Sequence, residues 1–251
     1  MPAICSTAPP EQPVLALPLL TPAQRQASPA LLPPKALFAV EQLIHQRFEA
    51  QAQAHPQRTA LVFGEQTLSY QALNRRANGI AHALLAQGVR PDDRVAILSL
   101  RGIDMLCALL GVLKAGAAYV PLDPAYPTER LGYLLDDSAP VALLAQSDCL
   151  DALPAHTVPV LRLDELNRAD AATDSRLDRN PQAAELGLTP QSTGKPKGTL
   201  LPHRNILRLF QATDAWFEFG PQDVWTMFHS YAFDFSVCSP STSRSGRSSV
   251  R

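Results

Sequence analysis

The sequence predicts an α/β protein with a mostly parallel sheet that is covered by helices on both faces. Short, wholly apolar stretches alternate with longer stretches whose apolar residues recur at helical spacing. Strands that lack polar alternation are typical of a sheet buried on both faces, and helical connections between them require parallel pairing. We therefore expect an α/β domain in the middle of the chain.

The predicted elements follow this architecture in order. A helix over 36–54 precedes a hairpin whose strands, 59–63 and 66–69, flank Gly64 and Glu65. Gly88 and Gly116 each end a helix, and Pro127 lies in the first turn of another. The other predicted helices are 70–87, 103–114, 127–137 and 203–217, and the other predicted strands are 94–98, 118–121, 141–145, 158–163 and 223–228.

Composition argues against several classes of protein. The 251 residues are 46% hydrophobic and 18% charged, with a net charge of −1, so a nucleic-acid-binding face is not expected. No apolar run approaches the roughly 20 residues of a membrane helix, and the N-terminus lacks the features of a signal peptide. The four cysteines form no C-x-x-C pair, and Cys107 and Cys149 lie in apolar stretches typical of a core. We expect a cytoplasmic protein with no membrane or nucleic-acid partner.

The two ends of the chain differ from the middle. Nine prolines lie between Pro2 and Pro34, which predicts an extended linker over 1–35. After Val237 the apolar patterning stops, and the serine- and arginine-rich residues 238–251 predict a disordered tail. Such a tail is either natural or the product of an altered reading frame. The abrupt change inside a patterned segment favours the altered frame.

One segment has the composition of a phosphate-binding loop: Ser192-Thr193-Gly194-Lys195-Pro196-Lys197-Gly198. Glycines let backbone N–H groups approach an anion, hydroxyls donate hydrogen bonds, and lysines supply positive charge. The spacing differs from that of the G-x-x-x-x-G-K-[ST] loop. Taken alone, the segment fits a solvated basic turn equally well.

Three further stretches accompany this loop: Leu68-Ser69-Tyr70-Gln71-Ala72-Leu73, Leu113-Lys114-Ala115-Gly116-Ala117-Ala118-Tyr119-Val120-Pro121-Leu122-Asp123-Pro124 and Phe233-Asp234-Phe235-Ser236. Together they resemble, in order, motifs of the adenylation domains of nonribosomal peptide synthetases, which belong to the adenylate-forming superfamily with acyl-CoA ligases and luciferases. The second stretch is the most specific. The resemblance covers about residues 36–237 and implies the N-terminal part of the large domain of that fold. It also implies that 1–35 is a linker following a condensation domain.

The resemblance implies activation of an amino acid for nonribosomal peptide biosynthesis. The amino acid carboxylate attacks the α-phosphorus of ATP, giving an aminoacyl-adenylate and pyrophosphate, and the acyl group then moves to the phosphopantetheine thiol of a carrier domain. ATP and Mg²⁺ are the implied cofactors, and peptidyl carrier and condensation domains are the implied partners. The residues implied in binding ATP phosphates are Ser192, Thr193, Gly194, Lys195, Lys197 and Gly198, with Thr193 also near the metal.

The fourth motif carries the implied amino acid site. Asp234 pairs in this family with the substrate's α-ammonium, since a buried ammonium needs a counter-charge. By itself the residue also suits a helix N-cap. Phe235 would line the side-chain pocket, and a pocket beginning Asp-Phe is compatible with threonine. His229 is a candidate contact to substrate or nucleotide, or else a packed histidine. Lys114 belongs to a motif whose expected role is structural.

The chain departs from the family pattern at two places. The family has an apolar strand directly before the loop, whereas here Gly187 to Gln191 leads straight into Ser192, so we expect about 5–6 residues of a central strand to be missing. Cys238 stands where the family has Trp-Glu, and the Mg²⁺-binding glutamate, the ribose-binding aspartate and the small C-terminal domain with its catalytic lysine are absent from the 251 residues. We therefore expect this chain by itself to form no adenylate.

Two alternatives stay open. An acyl-CoA or aryl-acid ligase has no ammonium to recognise, so Asp234 and the stretch 113–124 argue against it. A non-catalytic gene remnant is favoured, for this polypeptide, by the departures from the family pattern. The DNA that follows the codon for Val237 would distinguish a frameshift from a natural terminus.

Overall fold

The structure is a computed structural model that describes residues 43–166, 185–188, 198, 200–227, 230–232 and 247–249, with 185–188 and 247–249 described by their backbone alone. The helices are α1 (Ile44–Ala54), α2 (Tyr70–Ala86), α3 (Ile103–Lys114), α4 (Thr128–Ser138), α5 (Leu163–Leu166) and α6 (His203–Phe217), with a 3-10 helix over Ser147–Ala152. The strands are β1 (Thr59–Phe63), β2 (Gln66–Ser69), β3 (Arg94–Leu98), β4 (Ala118–Leu122), β5 (Ala142–Ala145), β6 (Val160–Arg162), β7 (Glu185–Leu188), β8 (Leu200–Pro202), β9 (Val224–Thr226) and β10 (Arg247–Ser249).

The larger sheet within these residues has the strand order β6-β5-β3-β4-β7-β8. Strand β3 pairs in parallel with β4, from Arg94 opposite Ala118 to Leu98 opposite Leu122, and in parallel with β5 on its other side. Strands β6 and β7 continue the parallel pairing, and β8 is antiparallel to β7. The predicted α/β fold with a mostly parallel sheet is confirmed. Because the chain passes from β3 to β4 on one side and then to β5 on the other, the topological switch point lies between β3 and β4.

Helices cover both faces of this sheet, and the residues of each strand alternate between them. Val95 and Ile97 of β3 belong to the larger hydrophobic core, which α2 and α3 complete. Ala96 and Leu98 point the other way and pack with α4 in a smaller core. Since successive strand side chains project to opposite faces, an uninterrupted apolar strand needs a helix on each side.

Local sequence signals set the ends of the helices. Ser69 caps α2, because its Oγ accepts a hydrogen bond from the Ala72 N–H at 3.2 Å. Gly88 and Gly116 lie just beyond α2 and α3 with φ of 85° and 74°. In that left-handed conformation a glycine avoids the steric cost that a Cβ atom would bring. The predictions that these two glycines end helices are confirmed.

Most predicted elements lie within a few residues of their observed bounds. Helix α1 is described from Ile44, so the predicted helical residues 36–42 lie outside the described part of the chain. Strand β6 covers three residues of the predicted 158–163, and α4 begins at Thr128 with Pro127 as its N-cap. The prediction missed the 3-10 helix, α5, β7, β8 and β10.

The strand position before the loop is occupied, which corrects the expectation of a missing central strand. Strand β7 lies between β4 and β8, with Gly187 opposite Tyr119 of β4. The strand has only four residues. Backbone N–H and C=O groups form a sheet ladder whatever side chains they carry, so a short segment can fill a position that the motif comparison assigns to a longer strand.

A second sheet within the described residues has the order β2-β1-β10-β9, in which β1 and β2 form the predicted antiparallel hairpin. Strand β10, Arg247–Ser249, pairs in parallel with both β1 and β9. The expectation of a tail without regular structure is therefore wrong for these three residues. Their strand is built from backbone pairing, which the polar composition of the tail does not prevent; residues 238–246 and 250–251 lie outside the described part.

No helix in the described part of the chain combines the length and the apolar character that crossing a membrane needs.

Candidate functional site at the carboxyl edge of the parallel sheet

Three neighbouring parallel strands are each followed directly by a polar residue at the same edge of the sheet. Ser99 follows β3, Asp123 follows β4 and Gln146 follows β5. The Leu100 N–H donates to Gln146 Oε1 at 2.8 Å, and the Ala125 N–H donates to Asp123 Oδ1 at 3.0 Å. Ligands of open α/β sheets bind outside the carboxyl ends of the strands, near the switch point. This carboxyl edge is therefore the candidate functional site.

The residues that precede the fourth motif are anchored at this edge. Arg101 Nη1 donates to the Met227 carbonyl oxygen at 2.8 Å, and Ser230 Oγ donates to Asp123 Oδ2 at 2.8 Å. The Ala232 N–H lies 3.4 Å from Ser230 Oγ, which accepts this hydrogen bond. Met227 and Ala232 are buried, so apolar packing and hydrogen bonds both hold the segment to the sheet.

Tyr231 is buried where β3 and β4 end. Its hydroxyl donates to the Ile97 carbonyl oxygen at 2.8 Å and also contacts the Leu122 carbonyl oxygen, so the hydroxyl bridges the ends of two strands. Burial raises the pKa of Tyr231 far above its ordinary value; the Asp123 carboxylate acts in the same direction, and a backbone hydrogen bond at Ser99 opposes it. The hydroxyl therefore stays protonated as a hydrogen-bond donor throughout the physiological pH range.

The two strands that flank the phosphate-loop segment in the sequence, β7 and β8, meet at the same edge. Strand β7 runs parallel to β4, so its last residue, Leu188, lies at the end of the sheet where β3, β4 and β5 also finish. Strand β8 returns antiparallel, with Leu188 opposite Leu200. The chain that joins them, which contains Ser192 to Lys197, is thus anchored at both ends to the carboxyl edge. Gly198, just before β8, is exposed.

Most residues that the sequence assigned to the site lie outside the described part of the chain. These are the loop residues Ser192, Thr193, Gly194, Lys195 and Lys197, together with His229, Asp234 and Phe235. Their roles stay predictions. The structure fixes their attachment points: the strands on either side of the loop, and the buried Tyr231 three residues before Asp234.

Lys114 lies in the core, away from the carboxyl edge. It is fully buried and pairs with Glu49, whose side chain is 16% exposed, so that the ion pair joins α3 to α1. Cys107 and Cys149 are buried free thiols, one in each core, as predicted. Burial raises the pKa of Cys107 to about 12, although Arg76 opposes the shift.

Sequence reasoning missed the residues that anchor the segment before the fourth motif. Arg101, Asp123, Ser230 and Tyr231 were not singled out, because each acts through a partner distant in sequence; Tyr231 and Ile97 are 134 positions apart. One signal was available: a polar residue stands directly after each buried strand. In a parallel sheet such residues gather at one edge.

Comparison with known proteins gives a family and relatives within it. A model described as "AMP-binding enzyme" matches residues 48–246. The chain is 43% identical over 204 residues to a dimodular nonribosomal peptide synthase of Bacillus subtilis (strain 168), a match that covers 76% of this chain and 9% of the relative. It is 42% identical over 207 residues to tyrocidine synthase 3 of Brevibacillus parabrevis, covering 80% of this chain and 3% of the relative. The chain thus spans less than a tenth of the length of these curated relatives.

Solved structures agree with the sequence relatives. The chain resembles the α-methyl-L-serine-AMP bound form of the nonribosomal peptide synthetase FmoA3 with a TM-score of 0.79 and 30% identity, over 86% of this chain and 24% of that one. The N-terminal subdomain of Klebsiella oxytoca NpsA has the same fold, with a TM-score of 0.72 and 21% identity, over 83% of this chain and 55% of that one. The family model covers more than half of the 251 residues, and the predicted resemblance is confirmed. The protein belongs to the AMP-binding enzyme family, and most of its length is similar to nonribosomal peptide synthetases.

Proposed function

We propose that this chain is the N-terminal part of an adenylation domain that activates an amino acid for nonribosomal peptide synthesis. The domain uses ATP to form an aminoacyl-adenylate and passes the acyl group to the phosphopantetheine of a carrier domain. Family membership and the peptide synthetase relatives support this over an acyl-CoA or aryl-acid ligase. The FmoA3 neighbour also has an AMPPNP-bound form, which supports the use of ATP.

The observation that carries the proposal is the shared location of two attachment points. The phosphate-loop segment leaves the sheet at the carboxyl end of β7, and the segment that leads to Asp234 is anchored at the carboxyl ends of β3 and β4. Activation requires a triphosphate and an amino acid to meet, and catalysis by positioning needs both binding segments on one rigid support. The carboxyl edge provides that support.

The donor set of the loop fits a polyphosphate. Hydroxyl groups, glycine backbone N–H groups and two ammonium groups are the donors that phosphate oxygens accept. In the proposal, Ser192, Thr193, Gly194, Lys195, Lys197 and Gly198 hold the β- and γ-phosphates, and Thr193 contributes to the Mg²⁺ site. When bound, ATP would supply the adenylyl group that makes the substrate carboxylate reactive, with its β- and γ-phosphates leaving as pyrophosphate. The loop's own task is to hold the β- and γ-phosphates in place and offset their charge.

The fourth motif supplies the amino acid site of the proposal. The Asp234 carboxylate pairs with the substrate's α-ammonium, Phe235 lines the pocket for its side chain, and His229 contacts substrate or nucleotide. A carboxylate beside two phenylalanines suits a desolvated ammonium, because the counter-charge offsets the cost of removing it from water. Threonine is the substrate we infer for a pocket that begins with Asp-Phe.

The remaining parts of the proposal concern the rest of the chain. We assign 1–35 to a linker after a condensation domain, 36–237 to the partial adenylation domain and 238–251 to a tail of aberrant origin, all in a cytoplasmic synthetase of secondary metabolism. The 251 residues contain no counterpart of the family's catalytic lysine. We therefore expect the purified chain to give no amino-acid-dependent ATP–pyrophosphate exchange, and measurable exchange would overturn this part.

Nucleotide binding can be tested through the four lysines of the chain. A reactive acyl-phosphate derivative of ATP transfers its acyl group to lysines beside the bound phosphates. We expect Lys195 and Lys197 to be acylated and unlabelled ATP to protect them, as measured by mass spectrometry of the peptides. Fully buried Lys114 is the internal control and should stay unlabelled. Labelling of Lys195 and Lys197 that ATP does not reduce would contradict the proposal.

A further inference from the structure

The second sheet holds a short polar strand between two strands with apolar residues. Strand β10, Arg247–Ser249, pairs in parallel with β1 on one side and with β9 on the other. Neighbouring strands of a sheet lie about 4.8 Å apart, so β1 and β9 are spaced for one strand between them. This position between β1 and β9 is called the strand slot below.

The register places the middle of the strand slot in a core-facing row. Ser248 is opposite Leu61 of β1 and opposite Trp225 of β9. Leu61 is 3% exposed and belongs to the larger core, and Trp225 packs against that core. Directly opposite residues of paired strands share one face of the sheet, so position 248 lies in the core-facing row. The row continues to buried Leu68 of β2, which leaves a serine in a row that is otherwise apolar.

The two flanking positions of the slot lie in outward-facing rows. Arg247 is opposite Val224, which is 58% exposed, and Ser249 is opposite exposed Thr226. The slot therefore suits a segment with one apolar residue between two polar ones, the alternation typical of a strand with a single buried face. The residues of β10 match the two polar positions and lack the apolar residue at position 248.

Strand β10 also fills the slot only in part. Strand β1 has five residues, and its described pairing with β10 comprises Leu61 and Val62. When a strand is added to a sheet, backbone hydrogen bonds supply the affinity and alternate side chains supply the specificity. A segment longer than the three residues of β10, with an apolar residue at the core-facing position, would gain in both respects.

The length of a structural relative indicates where such a segment comes from. The match to the N-terminal subdomain of Klebsiella oxytoca NpsA covers 55% of that subdomain. The fold as it occurs there therefore includes a large portion of chain without a counterpart in these 251 residues. A segment of that portion is available to a domain of this fold but is not supplied by this chain.

We propose that the strand slot is a binding site for an extended segment of a second polypeptide, namely the portion of the large domain that this chain does not contain. The segment enters parallel to β1, places an apolar residue between Leu61 and Trp225, and displaces Arg247–Ser249. The tail strand is a replaceable occupant of the slot. This inference concerns assembly of the fold and does not depend on the binding of ATP or an amino acid.

The first test measures the fit of the core-facing position in the full 251-residue chain. Ser248→Val should raise the midpoint of thermal unfolding by about 2–4 °C, because an apolar side chain then completes the buried row. Ser249→Val is the matched control, since it makes the same change in an outward-facing row, and it should leave the midpoint nearly unchanged. Equal midpoints for the two variants would overturn the proposal.

The second test measures binding of a separate segment by fluorescence anisotropy. The probe is the fluorescein-labelled peptide Lys-Thr-Thr-Val-Thr-Thr-Lys, and the control peptide has serine in place of valine. Ser248→Pro removes a backbone N–H group from the tail strand and so weakens its hold on the slot. A ligand's apparent affinity rises with the fraction of molecules whose site is open, so Ser248→Pro should bind the probe about tenfold more tightly than the original chain, and Ser248→Val about tenfold more weakly.

The outcomes separate this proposal from its rivals. Equal affinity of the probe for the three chains, or equal affinity of the two peptides for Ser248→Pro, would overturn it, as would the absence of binding. If circular dichroism shows that Ser248→Pro is unfolded, Ser248→Gly takes its place, because glycine keeps the N–H group but weakens a strand. Dimers of the original chain that Ser248→Pro abolishes would assign the slot to a second copy and overturn the proposal. Lysine labelling that ATP does not reduce would refute the proposed function and leave the peptide affinities unaltered.

Discussion

The two faces of the parallel sheet are covered to different depths. On one face every residue of α3 except Asp104 is buried. On the other face α4 buries a single stripe, while Asp136 and Asp137 near its end are exposed. The difference indicates that α3 is an internal helix and α4 a surface helix, although both connect parallel strands of one sheet.

The neighbours of α3 explain its complete burial. Helix α2 approaches so closely that a Cβ atom on Gly111 would lie 2.6 Å from Ile80 Cγ2, and α1 reaches the end of α3 through the Glu49–Lys114 ion pair. The sheet covers the remaining side. A helix enclosed in this way is apolar around its circumference, whereas a helix with one solvent-facing side carries an apolar stripe. The sequences of α3 and α4 follow these two patterns.

The largest expected change in the free energy of unfolding comes from the ion pair on the face of the sheet that α3 covers. Glu49→Ala removes the carboxylate that neutralises the buried Lys114 ammonium. Loss of one partner of a buried pair costs about 3–5 kcal/mol in the free energy of unfolding, because the remaining charge is desolvated. Urea denaturation followed by circular dichroism measures the change.

The exposed pair Arg162–Glu165, with an Nη1–Oε1 distance of 3.6 Å, is the matched control. Glu165→Ala should alter the free energy of unfolding by less than about 1 kcal/mol, since solvent screens an exposed pair. Similar losses in the two variants would contradict the structural role of the Lys114 pair.

A smaller loss of stability is expected when glycines inside helices are replaced by alanine, and the chain offers one such glycine on each face of the sheet. Gly111→Ala places a Cβ atom 2.6 Å from Ile80 Cγ2 and 3.2 Å from the Ala77 carbonyl oxygen, so α2 and α3 must separate. Overpacking of this kind costs about 1–3 kcal/mol. Gly132→Ala in α4 meets only Pro154, at 3.2 Å from its Cγ atom.

On α4 the clash is offset by the gain of about 0.5–1 kcal/mol that alanine brings over glycine inside a helix. We therefore expect Gly132→Ala to leave the midpoint of thermal unfolding nearly unchanged and Gly111→Ala to lower it. Equal midpoints for the two variants would show that α2 and α3 can separate without cost.

The smallest effect concerns the two thiols, one in each core. Burial raises the pKa of Cys107 to about 12, whereas an unfolded cysteine loses its proton near pH 8.5. The folded state binds this proton more tightly, so its contribution to stability is complete below about pH 8.5 and declines as the pH rises towards 12. The loss of stability between pH 8 and pH 10, measured by urea denaturation, should therefore be smaller in Cys107→Ala than in the original chain.

Alkylation by iodoacetamide gives an independent measure of the same difference. Burial also raises the pKa of Cys149, which lies in the smaller core, but a backbone hydrogen bond at Leu100 opposes the shift. We expect the Cys149 peptide to be modified before the Cys107 peptide. Faster modification of Cys107 would contradict the deeper burial of the face that α3 covers.

The parts of the fold that the sequence predicted best are those with continuous apolar character. The observed bounds of β3 and α3, Arg94–Leu98 and Ile103–Lys114, are the predicted ones, because strong hydrophobic periodicity and glycine stops act locally. Strands β7, β8 and β10 have at most four residues each, and their pairing depends on edges provided by distant segments. Propensity within so short a window cannot predict such pairing.

The candidate site divides in the same way. Its expected chemistry came from the family resemblance, which rests on local motifs such as the hydroxyls, glycines and lysines of one loop and an aspartate between two phenylalanines, and the roles of these residues stay predictions. The anchors were not readable: Tyr231 and Ser230 have partners 134 and 107 positions away. Long-range hydrogen bonds leave no spacing signal in the chain.

The sequence by itself thus carried the motifs that resemble the family. Its local hydrophobic pattern determined the order of helices and strands and the apolar circumference of α3. Tertiary structure decided that β7 and β8 meet at the edge where β3 and β4 end, and that the Tyr231 hydroxyl lies against the ends of β3 and β4. Hydrophobic periodicity is set by neighbours three or four residues apart, whereas the strand order depends on which distant edges pair. For that reason the contact of Tyr231 with both strands emerges only when β3, β4 and the segment 230–232 are seen together.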